Sequence, residues 1–146
     1  MSSELPAKLQ GIVDLFAAAP RELRLQALLD FSRRVPEPPH HLIGSAAFQD
    51  VPECQTPFAL AIEVDPGGAV HLHFDAPAEA PTVRGYAGIL REGLEGATAE
   101  EIQRVPLDFY MDMGLVELVT PLRLRGMEAI LARIKSCLSG ADAGAA

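Results

Sequence analysis

The chain has no tryptophan and only two tyrosines and six phenylalanines among its 146 residues, so any core it builds must be mostly aliphatic. Cysteine is scarce too. Cys54 and Cys137 stand alone, which excludes a four-thiolate zinc or iron–sulfur site and leaves a disulfide framework without a motive in a domain of this size. No stretch approaches the roughly 18 uninterrupted apolar residues of a membrane span, and Met1-Ser2-Ser3-Glu4 lacks a basic region leading into an apolar one. The expected location is the cytoplasm. Basic side chains are few, 12 Lys and Arg against 20 Asp and Glu for a net charge of -8, the wrong sign for a protein that neutralises phosphates, so a nucleic-acid partner is not expected. Glycine-rich phosphate loops are missing as well: Gly67-Gly68 reads as a turn, and Gly85, Gly88 and Gly93 fall within or beside a helix.

What is present suits one globular domain over residues 1–138, because 49% of the residues are hydrophobic and a chain of this length buries roughly two-thirds of its unfolded surface. Residues 139–146, rich in glycine and alanine, are expected to fray as a disordered tail. Charge is uneven. Residues 50–117 hold thirteen acidic side chains against three arginines, whereas Arg123, Arg125, Arg133 and Lys135 face only Glu128 and Asp142 from 118 onward. A basic C-terminal helix beside an acidic body is usually only a solvated surface, and it can also steer a protein partner.

The apolar spacing predicts a helix over 5–18, with Leu5, Leu9, Ile12 or Val13 and Phe16 on one stripe, and a second from Pro20 to about Arg34 that buries Leu23, Ala27, Leu28 and Phe31. Pro36-Glu37-Pro38-Pro39 ends it, since proline lacks the N–H and restricts its predecessor. At Pro57 the period changes from helical to two. Phe58, Leu60, Ile62 and Val64 alternate with smaller or polar residues, Asp65-Pro66-Gly67-Gly68 makes a turn, and Val70, Leu72 and Phe74 resume with His71 and His73 on the opposite, exposed face. A third strand near Ala46 to Val51 is expected, because an isolated hairpin is marginal in water. Helices follow: Pro81 to about Leu94 closed by Gly96, a short one opened by the capping box Thr98-Ala99-Glu100-Glu101, a turn or two over 106–113 stopped by Gly114, and a last one from Thr120-Pro121 burying Leu122, Met127, Ile130, Leu131, Ile134 and Leu138. The fold class is α+β, a small antiparallel three-stranded sheet packed by helices.

Cys54 is the chemical candidate. It lies in Val51-Pro52-Glu53-Cys54-Gln55-Thr56-Pro57, a proline-bracketed connection before a strand, where loops carry function more often than packing. The alternative is a small hydrophobe tucked under a loop. Cys137 falls at the edge of the last helix's apolar face and reads as packing. Glu53 disfavours the Cys54 thiolate, the form that reacts, so a site completed by a partner suits this cysteine better than a self-sufficient enzyme. His71 and His73 have no third metal ligand in view, and His40-His41 read as solvated, with a proton donor to Cys54 as their other reading.

The sequence resembles the SufE/CsdE family of cysteine desulfuration proteins from about Leu25 to Lys135. Cys54-Gln55-Thr56 is similar to the family's Gly-Cys-Gln-Ser, and Phe74-Asp75 with Glu79-Ala80 through Val83-Arg84-Gly85 is similar to its acidic loop leading into a helix. Gly96-Ala97-Thr98-Ala99-Glu100-Glu101-Ile102 is similar to its Gly-x-Thr-Pro-Glu-Glu-Ile element, and Gly114-Leu115 through Thr120-Pro121-Leu122-Arg123-Leu124-Arg125-Gly126-Met127 to its Leu-Gly-Leu and Ser-Pro-Ser-Arg-x-Asn-Gly segments. Glu53 stands where the family has glycine, Ala59 where it has tryptophan, and the Asp75 to Gly85 loop is two residues longer.

The resemblance implies a SufE/IscU-like fold. It further implies that Cys54 accepts persulfide sulfur from a pyridoxal-phosphate cysteine desulfurase of the SufS/CsdA kind, stimulates it, and passes the sulfur to an iron–sulfur scaffold complex. Glu53, Gln55, Asp75, Glu79, Arg123 and Arg125 would contact partners, and Phe58, Leu60 and Phe74 would wall a pocket that shields the persulfide. No cofactor of its own is implied, the pyridoxal phosphate belonging to the desulfurase, and the chain would be an accessory carrier rather than an enzyme. A stand-alone thiol redox protein, an iron–sulfur scaffold and a non-catalytic interaction module are the competing readings.

Overall fold

In the computed structural model the protein is described over residues 5–42, 48–52 and 57–145, with side chains to Ser139. Helices α1 (Ala7–Ala18) and α2 (Arg21–Arg33) precede β1 (Gln49–Asp50), β2 (Ala59–Val64) and β3 (Val70–Asp75). After the sheet come α3 (Pro81–Leu94), α4 (Ala99–Gln103), two short 3-10 turns (Phe109–Met113 and Leu115–Glu117) and α5 (Pro121–Ala145). The strands form one antiparallel sheet in the order β1-β2-β3, with Gln49 opposite Leu60 and Ala59 opposite Asp75 at one end and Val64 opposite Val70 at the other. This is the expected α+β architecture, with five helices and a three-stranded sheet among the described residues.

Local chemistry explains the boundaries. Asp65 Oδ1 accepts from the amides of Gly67 and Ala69 (2.9 and 3.0 Å), and Gly68 takes φ +87°, so the β2–β3 turn closes on its aspartate and a glycine. At α4 the capping box is complete: Thr98 Oγ1 accepts from the Glu101 amide at 3.1 Å while Glu101 Oε1 accepts from the Thr98 amide at 2.9 Å.

The core is where the helices cover one face of the sheet. Val70, Leu72 and Phe74 on β3 are buried on the side of α3, which is itself sunk along most of its length, and Leu60 on β2 is buried near α5. Glycines on α3 let the first two helices in. A Cβ at Gly85 would collide with the carbonyl oxygen of Leu28, one at Gly88 would stand 2.5 Å from that of Phe31, and one at Gly93 would meet Leu9.

Three expectations of burial are corrected. Leu23 is exposed, because α2 meets α3 through Leu28 and Phe31 opposite the two glycines, and the buried third member of its inner face is Ser32, whose hydroxyl donates to the Leu29 carbonyl. Leu122 is exposed and Leu124 buried; the stripe of α5 runs Leu124, Met127, Leu131, Ile134, Leu138 at three- and four-residue steps, and Leu122 sits about 200° around the helix from its start. Val64 is exposed at the far end of β2, while Ala61 on the other face is buried beside its register partner His73.

Candidate functional site

The candidate cysteine belongs to the connection between β1 and β2. Glu53, Cys54 and Gln55 lie outside the described residues, so the site is built from what flanks them. The Val51 amide donates to the Phe58 carbonyl oxygen at 2.9 Å, continuing the β1–β2 ladder one step beyond Asp50 and Ala59. Both side chains are buried, whereas Pro52 and Pro57 are exposed. The ring of Phe58 meets that of Phe74 at a centroid distance of 5.8 Å and a tilt of 48°, with Leu60 buried next along the strand. Phe58, Leu60 and Phe74 are therefore one apolar floor beneath this end of the sheet.

Asp75 is exposed at the end of β3, opposite Ala59, and so shares this end of the sheet; Glu79 is exposed four residues on. Arg123 and Arg125 are exposed in the first turns of α5. They are about 20 Å along the helix from Cys137, where α5 lines a cavity with Leu60 and Ile62 of β2. Among the described residues neither arginine makes a side-chain hydrogen bond or ion pair with Asp75 or Glu79.

A residue with no catalytic signature in the sequence organises the same end of the sheet. Arg84, in the first turn of α3, donates Nε to the Ser32 carbonyl at 2.8 Å, Nη2 to that of Val35 at 3.0 Å, and Nη1 to that of Ala76. One guanidinium thus joins the end of α2, the segment after it and the chain leaving β3, beside a cavity of about 520 Å³ that also touches Arg33 and Glu37. A cation at a helix N-terminus opposes the helix dipole. That position was the signal available in the sequence.

Cys137 is half-buried, and burial pushes its thiol up while Arg133 works weakly the other way. It borders a cavity of about 210 Å³ against β2, which fits the packing role expected of it. The histidines depart from expectation. His71 and His73 are not on an open face: their side chains are 33% and 16% exposed and each meets a carboxylate, His71 at Asp65 and Glu95 and His73 at Glu63. His41 is exposed and also reaches Glu63, at 2.9 Å. No group of three or more His, Cys, Asp or Glu among the described residues is placed to hold a metal ion. No helix there is long and apolar enough to cross a membrane.

Comparison with known proteins agrees with this fold. A family model described as SufE, Fe-S metabolism associated domain, matches residues 10–138. An uncharacterized SufE-like protein from Mycobacterium tuberculosis is 49% identical over 140 residues, 96% of this chain and 97% of its own. Another, from Rhizobium meliloti, is 29% identical over 136 residues, 90% of this chain and 95% of its own. The solution structure of a hypothetical protein from Thermus thermophilus is similar with a TM-score of 0.84 and 47% identity, covering 94% of this chain and 97% of that one.

Proposed function

Because the chain belongs to the SufE family, a family associated with iron–sulfur metabolism, we propose that Cys54 is a sulfur acceptor. Its thiolate attacks the outer sulfur of a persulfide on a pyridoxal-phosphate cysteine desulfurase. A new S–S bond forms on Cys54, the old one breaks, and the desulfurase cysteine leaves as a thiolate, so no external oxidant or reductant is needed. The sulfur then moves to an iron–sulfur scaffold by a second exchange of the same kind.

The observation that carries this reading is the Val51–Phe58 hydrogen bond over the Phe58–Phe74 floor. It brings both ends of the Cys54 segment to one apolar platform. Persulfide sulfur is labile in water, and an apolar platform offers it shelter. Glu53, next in sequence, holds the free thiol back, so acceptance waits for a partner whose cations offset that carboxylate. Asp75 and Glu79 at this end of the sheet, with Gln55 beside Cys54 in sequence, serve as partner contacts, and Arg123 and Arg125 offer a second, basic contact on α5. The protein itself needs no cofactor in this scheme, works in the cytoplasm, and stimulates the desulfurase by removing its persulfide. A dithiol redox role is disfavoured by Cys137, whose half-buried thiol is pushed away from the reactive form.

Intact-protein mass spectrometry after incubation with a desulfurase and free cysteine tests the proposal. A reducible gain of sulfur that survives Cys137→Ser and vanishes in Cys54→Ser is expected. No added sulfur, with desulfurase turnover and binding unchanged, would return the chain to the interaction-module reading.

A further inference from the structure

The sheet face turned away from the core carries two hydrogen-bonded triads that sulfur acceptance does not use. In one, Glu63 Oε1 lies 2.8 Å from His73 Nε2 and Oε2 lies 2.9 Å from His41 Nε2. In the other the roles are reversed: His71 Nδ1 lies 2.5 Å from Glu95 Oε2 and Nε2 lies 3.0 Å from Asp65 Oδ2. A neutral imidazole has one N–H and one bare lone pair, whereas an ionised carboxylate offers only acceptors. Both bonds of His71 are therefore made together only when the ring carries its second proton. Loss of that proton turns one of the two contacts into lone pair against carboxylate.

The His71 triad spans three elements, with Asp65 in the β2–β3 turn, His71 on β3 and Glu95 just past the end of α3. At the same junction the backbone holds residues 96–98 to the start of β3 by few bonds. The Val70 amide donates to the Ala97 carbonyl at 2.8 Å, the Gly96 amide donates to the Val70 carbonyl at 3.1 Å, and Ala69 bridges Thr98. Among the described residues the charged neighbours of the ring are few. Glu63 is its register partner on β2 and is shared by His41 and His73; Lys8 of α1 points its Nζ at the Glu95 carbonyl at 3.5 Å; Glu101 is held in the Thr98 capping box. We propose that His71 is a proton-operated clasp, closing the 96–98 segment onto β3 when protonated and loosening it when the proton leaves.

The sign follows from the partners. Hydrogen bonds to Asp65 and Glu95 raise the His71 pKa above 6.5, and the bond to His71 lowers that of Asp65. The clasp's contribution is whole below the unfolded histidine value and is lost as pH rises through the raised folded value; at the acid end it fails when Asp65 takes up a proton.

Amide exchange by NMR on the full chain reads the clasp directly. After correction for intrinsic exchange, protection of the Val70 and Gly96 amides should fall several-fold between pH 6 and 8.5, with the midpoint at which the His71 ring titrates. His71→Gln should abolish that dependence, Glu95→Gln should shift its midpoint downward, and His73→Gln should leave it in place. Protection that is flat with pH in the unmodified protein, or that varies identically in His71→Gln, would overturn the proposal. Neither result depends on whether Cys54 accepts sulfur.

Discussion

The amide of Val51 donates to the carbonyl oxygen of Phe58 across 2.9 Å, and this one bond fixes the entrance and exit of the connection that carries Cys54. Phe58 serves twice, its backbone in the ladder and its ring against Phe74. A change that keeps the backbone and shortens the ring separates the two roles.

Phe58→Leu is such a change. A volume-reducing apolar swap costs about 1 kcal/mol in a core that repacks, and Ile89→Val, buried on α3, costs a similar amount. If the Phe58–Phe74 floor supports the acceptor segment, sulfur loading of Cys54 should slow in Phe58→Leu and stay unchanged in Ile89→Val at matched stability. Equal rates of loading in the two variants, measured by quenched mass spectrometry, would remove the floor from the mechanism.

Two alanines for glycine should move the melting temperature in opposite directions. At Gly88 the added Cβ stands 2.5 Å from the Phe31 carbonyl oxygen, and backbone cannot swing aside as a side chain can, so Gly88→Ala should cost about 3 kcal/mol, at the upper end of overpacking effects. Gly11, exposed inside α1, has no neighbour among the described residues within 4 Å of such a Cβ. Gly11→Ala should gain about 0.5–1 kcal/mol, since glycine is a poor residue for a helix interior. Calorimetry of both variants should show a rise of about 2 °C for Gly11→Ala and a fall several times larger for Gly88→Ala.

The same glycines show how much of the fold was legible beforehand. Their place in a helix could be read from the apolar spacing of α3, and so could the turn at Asp65, the capping box at Thr98 and the hairpin, because each is settled by residues within a few positions of one another. What the glycines are for could not be read, since it depends on the carbonyls of Leu28 and Phe31, more than fifty residues away. The exposure of Leu23 and Leu122 has the same origin: periodicity marks a helix's apolar stripe, and the neighbour decides which part of it is covered. At the site, Cys54 was visible through its proline-bracketed setting and its likeness to a family motif. The His–carboxylate triads were not, because Glu63, Asp65 and Glu95 meet the histidines through strand pairing and helix docking that no short motif encodes.

Arg84 is the residue on which that long-range assembly can be tested most directly. Its guanidinium serves carbonyls of Ser32, Val35 and Ala76, and no carboxylate forms a salt bridge with it among the described residues. Its charge is thus spent on backbone acceptors. Arg84→Met keeps much of the aliphatic stem and strands those acceptors in a half-buried place, where an unmet acceptor costs about 1–3 kcal/mol, so a loss of about 3 kcal/mol in chemical denaturation is expected. Arg84→Lys should recover only part of it, because an ammonium is a compact point charge and cannot reproduce the planar fork that reaches three directions. Ala76 follows Asp75, which pairs with Ala59 at the end of the sheet that carries the Cys54 connection. Freed from Arg84, that end should loosen, and Arg84→Lys should therefore slow sulfur loading of Cys54 even at temperatures where the variant is fully folded. Loading at the unmodified rate in folded Arg84→Lys would confine the arginine to stability alone.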